Sequence, residues 1–170
     1  MSAVGPGQRE IDSSPTNSAV LRVRTGALAG PLLTRVVGMM LARAECPVDR
    51  LDDAMLICDA LGAHACAQAA DGHVEFTVRT GRRGMELRVS ALTAGGAQRL
   101  IQATSLPGVG AVLEPIADQV RVESSAAGAG EELVVELGFG RGARQASRNG
   151  NGSAPGKPAA GRPADQSSPD

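Results

Sequence analysis

Hydrophobic and polar positions alternate most cleanly between residues 74 and 91. Val74, Phe76 and Val78 are separated by Glu75, Thr77 and Arg79. After a polar stretch from Thr80 to Gly84, Met85, Leu87, Val89 and Ala91 repeat the two-residue period. Side chains two apart share one face of a strand, so the two runs predict a β-hairpin with one apolar and one polar face. Val20-Leu21-Arg22-Val23-Arg24, stopped by Thr25-Gly26, predicts an earlier strand, and two last strands are expected around 120–123 and 132–138.

Between the first strand and the hairpin the period lengthens. Pro31 suits the first turn of a helix, where its missing N–H costs nothing. Leu32, Val36, Met39, Met40 and Arg43 then recur at three- and four-residue steps, and Pro47 stops that helix near Glu45. In a second helix Asp49 is placed to cap the N-terminus, with Asp52 three residues on in the acidic position of a capping box. Leu51, Met55, Cys58, Leu61, Ala65 and Ala69 form its apolar stripe, and Asp71-Gly72 ends it. A short helix from Gln98 to Thr104 and a helical stretch reaching about Asp118 follow the hairpin. The order β-α-α-β-β-(loop, α)-β-β implies an α/β (α+β) two-layer sandwich: one mixed, mostly antiparallel sheet with helices packed on a single face.

This pattern occupies residues 18–138. Residues 1–17 and 139–170 are rich in Gly, Pro, Ser, Asn and Asp, with no apolar run to offset the cost of ordering them, and are expected to be disordered tails. The net charge is −1 and the isoelectric point about 6.1, which gives no electrostatic footprint for nucleic acid. The basic lean of the C-terminal tail reads as solvation. No stretch approaches the run of about 20 apolar residues that a membrane span needs, and the N-terminus lacks a signal-peptide pattern. Cys46, Cys58 and Cys66 are odd in number and fall in or beside helices, which suits buried thiols in a reducing, cytoplasmic setting. They form no CxxC pair with which His64 and His73 could complete a zinc site, so no metal site is read. With those two histidines only, no Ser–His–Asp arrangement is legible.

The element order, together with the stretch LDDAMLICDALGAHACAQA, resembles the anti-sigma factor serine kinases of the GHKL (histidine kinase-like) ATPase superfamily. The second helix of that family reads approximately DDxxLAVDEAxTNAxxHA. Asp52 and Asp53 stand at its opening pair, with Leu56, Asp59, Ala65 and Ala69 in register, and Ile116-Ala117-Asp118-Gln119-Val120 resembles the later LADEV. The resemblance implies the histidine kinase-like ATPase fold. It places Ala60 where the family has its catalytic glutamate and His64 where it has the asparagine that holds Mg²⁺ against the ATP phosphates. Alanine cannot act as a base, and neutral imidazole is a poor ligand for a hard cation that wants oxygen. Asp59 keeps a carboxylate nearby, but about 100° around the helix. Thr93 replaces the aspartate that accepts from the adenine amino group, followed by Gly95, and Gly108-Val109-Gly110 is what stands for the glycine-rich lid.

Two functions follow from the resemblance. The first is a regulatory protein that works by binding a sigma factor or an anti-sigma antagonist, with kinase chemistry lost and no cofactor needed. The alternative is a divergent ATP-binding protein serine/threonine kinase using Asp59, with ATP and Mg²⁺ as its cofactors. On either reading the resemblance implies a homodimer formed through the first strand or helix. His64 is read either as a polar residue on the helix surface or as part of a pocket that holds some other ligand.

Overall fold

The computed structural model describes residues 17–106, 110–125 and 130–140, so the two tails lie outside the described residues except for Asn17, Phe139 and Gly140. Strand β1 (Asn17–Arg24) leads into helices α1 (Ala29–Arg43) and α2 (Val48–His64). The hairpin follows as β2 (His73–Gly81) and β3 (Gly84–Leu92), then α3 (Gly96–Ala103). A two-residue ribbon pairs β4 (Ser105–Leu106) with β5 (Gly110–Ala111) before the short helix α4 (Leu113–Ile116). Strands β6 (Gln119–Ser124) and β7 (Glu131–Gly138) complete the element order.

The architecture is α+β: one five-stranded sheet in the order β1-β2-β3-β7-β6, its apolar face covered by helices. The sheet is not mixed as expected, because every pairing in it is antiparallel. A single crossover helix returns the chain to run parallel to the strand it left. Here β1 and β2 are joined by two helices that lie antiparallel, with Gly30 near the start of α1 against Gly62 near the end of α2, and the second reversal makes β2 oppose β1. Strand β6 runs in the same sense as β3, but β7 lies between them.

Alternation divides the sheet faces as the sequence predicts. Val74, Phe76, Val78, Met85, Leu87, Val89, Leu133, Val135 and Leu137 are buried toward the helices. Across that layer they meet Leu33, Val37 and Leu41 of α1, then Ala54, Ile57, Cys58 and Leu61 of α2. Burying one such side chain is worth about 1.5–3 kcal/mol. The inward hydroxyl of Thr80 is buried and has no hydrogen-bond partner among the described residues.

The opposite face carries a lattice of charges. Glu86 on β3, only 7% exposed, receives Arg88 Nε at 2.9 Å and lies 3.7 Å from Arg121 on β6. Arg88 reaches Glu123 at 2.8 Å and Glu132 at 3.6 Å, while Arg121 bonds Glu123 at 2.6 Å and also Glu136. Val134 sits between the two arginines in the strand register and is fully buried on this face. The aliphatic stems of long cationic side chains cover apolar surface in this way while their heads stay in a polar layer.

Helix α1 departs from the expected phase, whereas the expected stripe of α2 lies on its core side. In α1 the buried residues are Ala29, Leu33, Val37, Met40 and Leu41, so Leu32 and Met39, assigned to the stripe, point outward. The helix has two apolar rows, and the period alone does not say which one faces the sheet. In α2 the core side runs through Ala54, Ile57, Cys58 and Leu61, with Leu51 and Met55 half-buried at its flank.

No side chain caps α2. The chain enters it from Pro47, whose carbonyl accepts from Arg50 and Leu51 at 3.0 and 2.9 Å, so the expected capping box of Asp49 and Asp52 does not form. Asp49 lies in the first turn instead, where a carboxylate favours the positive end of the helix dipole. The helix ends at His64, well before Asp71-Gly72, and gives way to a 3₁₀ turn over Ala65–Gln68. Ala69 then forms a bridge with Leu92. Helix α1 closes with Glu45 at φ 55° and with Cys46 N–H bonded to the Leu41 carbonyl, a Schellman-type ending.

Candidate functional site

Two of the acidic residues behind the resemblance, Asp53 and Asp118, are used to hold the fold together. Arg50, nearly buried in the first turn of α2, donates to Asp53 at 3.1 Å and to Asp118 at 3.5 Å. Asp118 also accepts from the backbone N–H of Gly138. One guanidinium therefore joins the start of α2 to the segment entering β6 and to the end of β7. Removing one member of such a group leaves the others desolvated without a counter-charge, so the three act as a structural unit.

Asp59 faces α1. Its Oδ1 accepts the Thr34 hydroxyl at 2.9 Å, across the helix pair whose backbones touch at Gly30 and Gly62. It lines a surface cleft of about 590 Å³ with Gly26, Gly30, Thr34, Arg35 and Cys66. Cys66 Sγ donates to the Gly26 carbonyl at 3.8 Å. The neighbouring Cys58 points into the core, where burial, and then the charge of Asp59, push its thiol up to about 12. It is a buried, protonated packing residue at neutral pH. Burial also raises Cys46, against the opposing effect of Arg50. All three cysteines are free thiols.

Ala60 is half-buried one position further along α2. His64 is exposed at the last turn, and its side chain makes no hydrogen bond among the described residues. Thr93 lies where β3 runs out. Its hydroxyl donates to the Gln68 carbonyl at 3.3 Å and accepts from Arg99 at 2.7 Å. The same guanidinium donates to the Gln68 side chain at 2.8 Å and to the Ala94 carbonyl at 3.2 Å. Gly95 sits under it at φ 71°, where a β-carbon would come within 2.9 Å of Arg99 Nη1. Arg99 thus clamps the end of β3 to the 3₁₀ turn that follows α2.

Gly110 opens β5 and pairs with Leu106, whereas Gly108 lies outside the described residues. The cleft beside Asp59 is lined by neither Ala60, His64, Thr93 nor Gly95. The sequence-predicted residues are therefore not gathered in one site: Asp59 lines the cleft between α1 and α2, whereas Thr93 and Gly95 are engaged with Gln68 and Arg99.

Arg99, Gln68, Arg50 and Thr34 were not singled out from the sequence. No local pattern in the sequence marks these partnerships, which join residues distant along the chain. Among the described residues no group of three or more His, Cys, Asp or Glu side chains is gathered as a metal site, and no helix is long and apolar enough to cross a membrane.

Comparison with protein-family profiles finds no match. Comparison with curated proteins finds none either.

Proposed function

We propose that this chain is a cytoplasmic regulatory protein that acts by binding another protein, in the manner of an anti-sigma factor, without transferring phosphate. The observation that supports it is the Arg99 clamp. At the position where the resembled family recognises adenine, the Thr93 hydroxyl already donates to Gln68 and accepts from Arg99. A nucleotide would have to displace a charged, bonded side chain to reach it, and Ala60 offers no base to use the nucleotide once bound. Phosphoryl transfer depends almost wholly on positioning and electrostatic stabilisation, so the loss of these groups removes the reaction. The partner in this proposal is a sigma factor or an anti-sigma antagonist. No ATP or Mg²⁺ is required.

The competing reading is an ATP-dependent serine kinase that uses Asp59. It is favoured by the open cleft beside that carboxylate, and weakened by the bond to Thr34 and by walls that include Gly30 and Gly62. A thermal-shift titration with ATP and ADP, each with and without Mg²⁺, separates the two. A ligand at a hundred times its dissociation constant stabilises by about 2.7 kcal/mol, a shift of several degrees for a domain of this size. The regulatory reading expects no shift and expects titration calorimetry to detect a purified sigma or antagonist partner. A Mg²⁺-dependent shift that Asp59→Asn abolishes would overturn it.

A further inference from the structure

Strand β1 forms one end of the sheet, so along its eight residues one row of backbone N–H and C=O groups has no neighbouring strand among the described residues. Long regular edges of this kind template the addition of another strand. On the open face of the sheet β1 presents Val20, Arg22 and Arg24. Val20 is 63% exposed, an apolar residue on a face that elsewhere is charged.

At the C-terminal end of β1, Arg22, Arg24, Thr25, Asp71, Gly72 and His73 line a polar cleft of about 690 Å³. Arg22 donates to His73 Nε2 at 2.6 Å, which leaves Nδ1 to face the Asp71 carbonyl as a donor at 3.2 Å. The Thr25 N–H bonds the Gly72 carbonyl at 3.0 Å and holds the cleft floor in place. Arg50, Arg88 and Arg121 are each satisfied by carboxylates. Arg22 and Arg24 have no ion pair among the described residues. Glu75 stands opposite Arg22 in the strand register and Asp71 lines the cleft, but neither closes an ion pair with the two guanidinium groups, which remain open to a ligand that brings carboxylates.

The helix layer adds an apolar strip beside the same edge. Gly30 and Thr34 of α1 face α2, and Leu32 lies two residues from each, about 200° around the helix. Helix α1 packs over β1 and β2, so the side turned away from α2 overhangs the β1 edge. Leu28, Leu32 and Met39 are exposed there, Leu28 by 68% and Met39 by 57%.

We propose that the β1 edge, with the Arg22–Arg24 cleft at its end, is the docking site for an extended acidic segment of a protein partner, added as a sixth strand. The inference rests on the protein-binding reading above and names the surface and partner chemistry that it uses. An antiparallel guest places residues of one parity opposite Arg24, Arg22 and Val20 in turn. Its pattern is acidic, apolar, acidic, apolar, apolar, the second and fourth side chains turning toward Leu28 and Leu32. Backbone hydrogen bonds supply the affinity, and the two carboxylates select the register.

The test uses the full chain and a labelled nine-residue peptide centred on Glu-Val-Glu-Val-Ile, read by fluorescence anisotropy. The peptide binds, affinity falls with added salt, and a Lys-Val-Lys-Val-Ile version does not bind. Paired Arg22→Glu and Arg24→Glu substitutions weaken binding by at least about tenfold, as expected for reversing two charge contacts. Arg82→Glu, in the distant β2–β3 turn, leaves it unchanged. Amide exchange slows over residues 17–24 when the peptide is bound, and β6 does not change. Equal binding by the paired variant, or no binding by the native chain, overturns the proposal. So does a dimer of the free chain that Val20→Asp splits, since the edge then belongs to a second copy. A purified partner that binds the paired variant as tightly as the native chain refutes the edge assignment alone; a chain that binds the peptide but no sigma or antagonist partner refutes only the regulatory reading.

Discussion

The contact between Gly30 and Gly62 makes opposite predictions for two substitutions that look alike on paper. A β-carbon built on Gly62 would lie 2.4 Å from Gly30 Cα and 3.1 Å from Gly30 N. Carbon atoms in contact prefer about 3.5–4.0 Å, so Gly62→Ala requires the helices to part by more than an ångström along a rigid backbone contact. A β-carbon built on Gly30 meets Gly62 no closer than 3.6 Å, which is ordinary packing. Replacing a helical glycine by alanine otherwise gains about 1 kcal/mol, and overpacking a tight contact costs about 1–3 kcal/mol or more. Gly30→Ala is therefore expected to stabilise by up to about 1 kcal/mol, and Gly62→Ala to destabilise by about 1–2 kcal/mol net. At about 4 °C per kcal/mol for a domain of this size, the two melting temperatures should lie roughly 10 °C apart. Far-UV circular dichroism on heating, repeated in urea, measures both. Equal stabilities, or a Gly62→Ala variant more stable than Gly30→Ala, would refute the account of how α1 and α2 pack.

Glu45→Gly should raise stability by about 1 kcal/mol in urea titration, because Glu45 holds a left-handed conformation that suits glycine. Thr80→Val should stabilise by about 1 kcal/mol, since it removes a buried hydroxyl that lacks a partner without changing shape; a loss of similar size would mean that the hydroxyl is bonded. The carboxyl of Glu123 is held below its ordinary value by the hydrogen bond from Arg121 and then by that from Arg88. A lowered folded pKa contributes stability above the ordinary carboxylate value of 4.5 and loses it as pH falls through the lower folded value, so Glu123→Gln should flatten the acid side of the stability profile in that window. Cys46 and Cys66, both partly exposed, should react with a disulfide reagent in the native protein, whereas Cys58 should react only on unfolding; prompt labelling of Cys58 would contradict its burial.

The strands were legible because a sheet with one covered face writes its structure into alternate residues. Val74, Phe76 and Val78 could face only one way once Glu75, Thr77 and Arg79 faced the other. Helix α1 was legible as a helix but not in its orientation. Leu32 and Met39 share its period with Leu33, Val37 and Met40, and only the packed layer separates the two rows. The end of α2 was missed because Ala65-Cys66-Ala67-Gln68 contains no helix breaker; the turn tightens there when Ala69 joins Leu92 and the Thr93 N–H reaches the Gln68 carbonyl.

For the candidate site, residue identity was informative and partnership was not. That alanine stands at position 60 needs no coordinates. That Thr93 is engaged by Arg99 and Gln68 depends on a contact across 25 residues, which no local pattern encodes. The same holds for Arg50, whose bond to Asp118 spans 68 residues and turns two motif aspartates into structural ones.

The strand order also fixes when each edge is covered as the chain emerges from the ribosome. Strands β1, β2 and β3 and both long helices are complete by Leu92, but β3 waits for β7, which begins only at Glu131. Until then β3 exposes a second edge, from Met85 to Leu92, beside a half-covered apolar face. Pairings this distant in sequence form late, and unpaired edges of nascent sheets are sites of misassembly. Nascent chains stalled or cut before β6 and β7 should accordingly depend on chaperones. Once β7 pairs between β3 and the earlier-emerging β6, that vulnerability ends, and β1 is left as the long open edge.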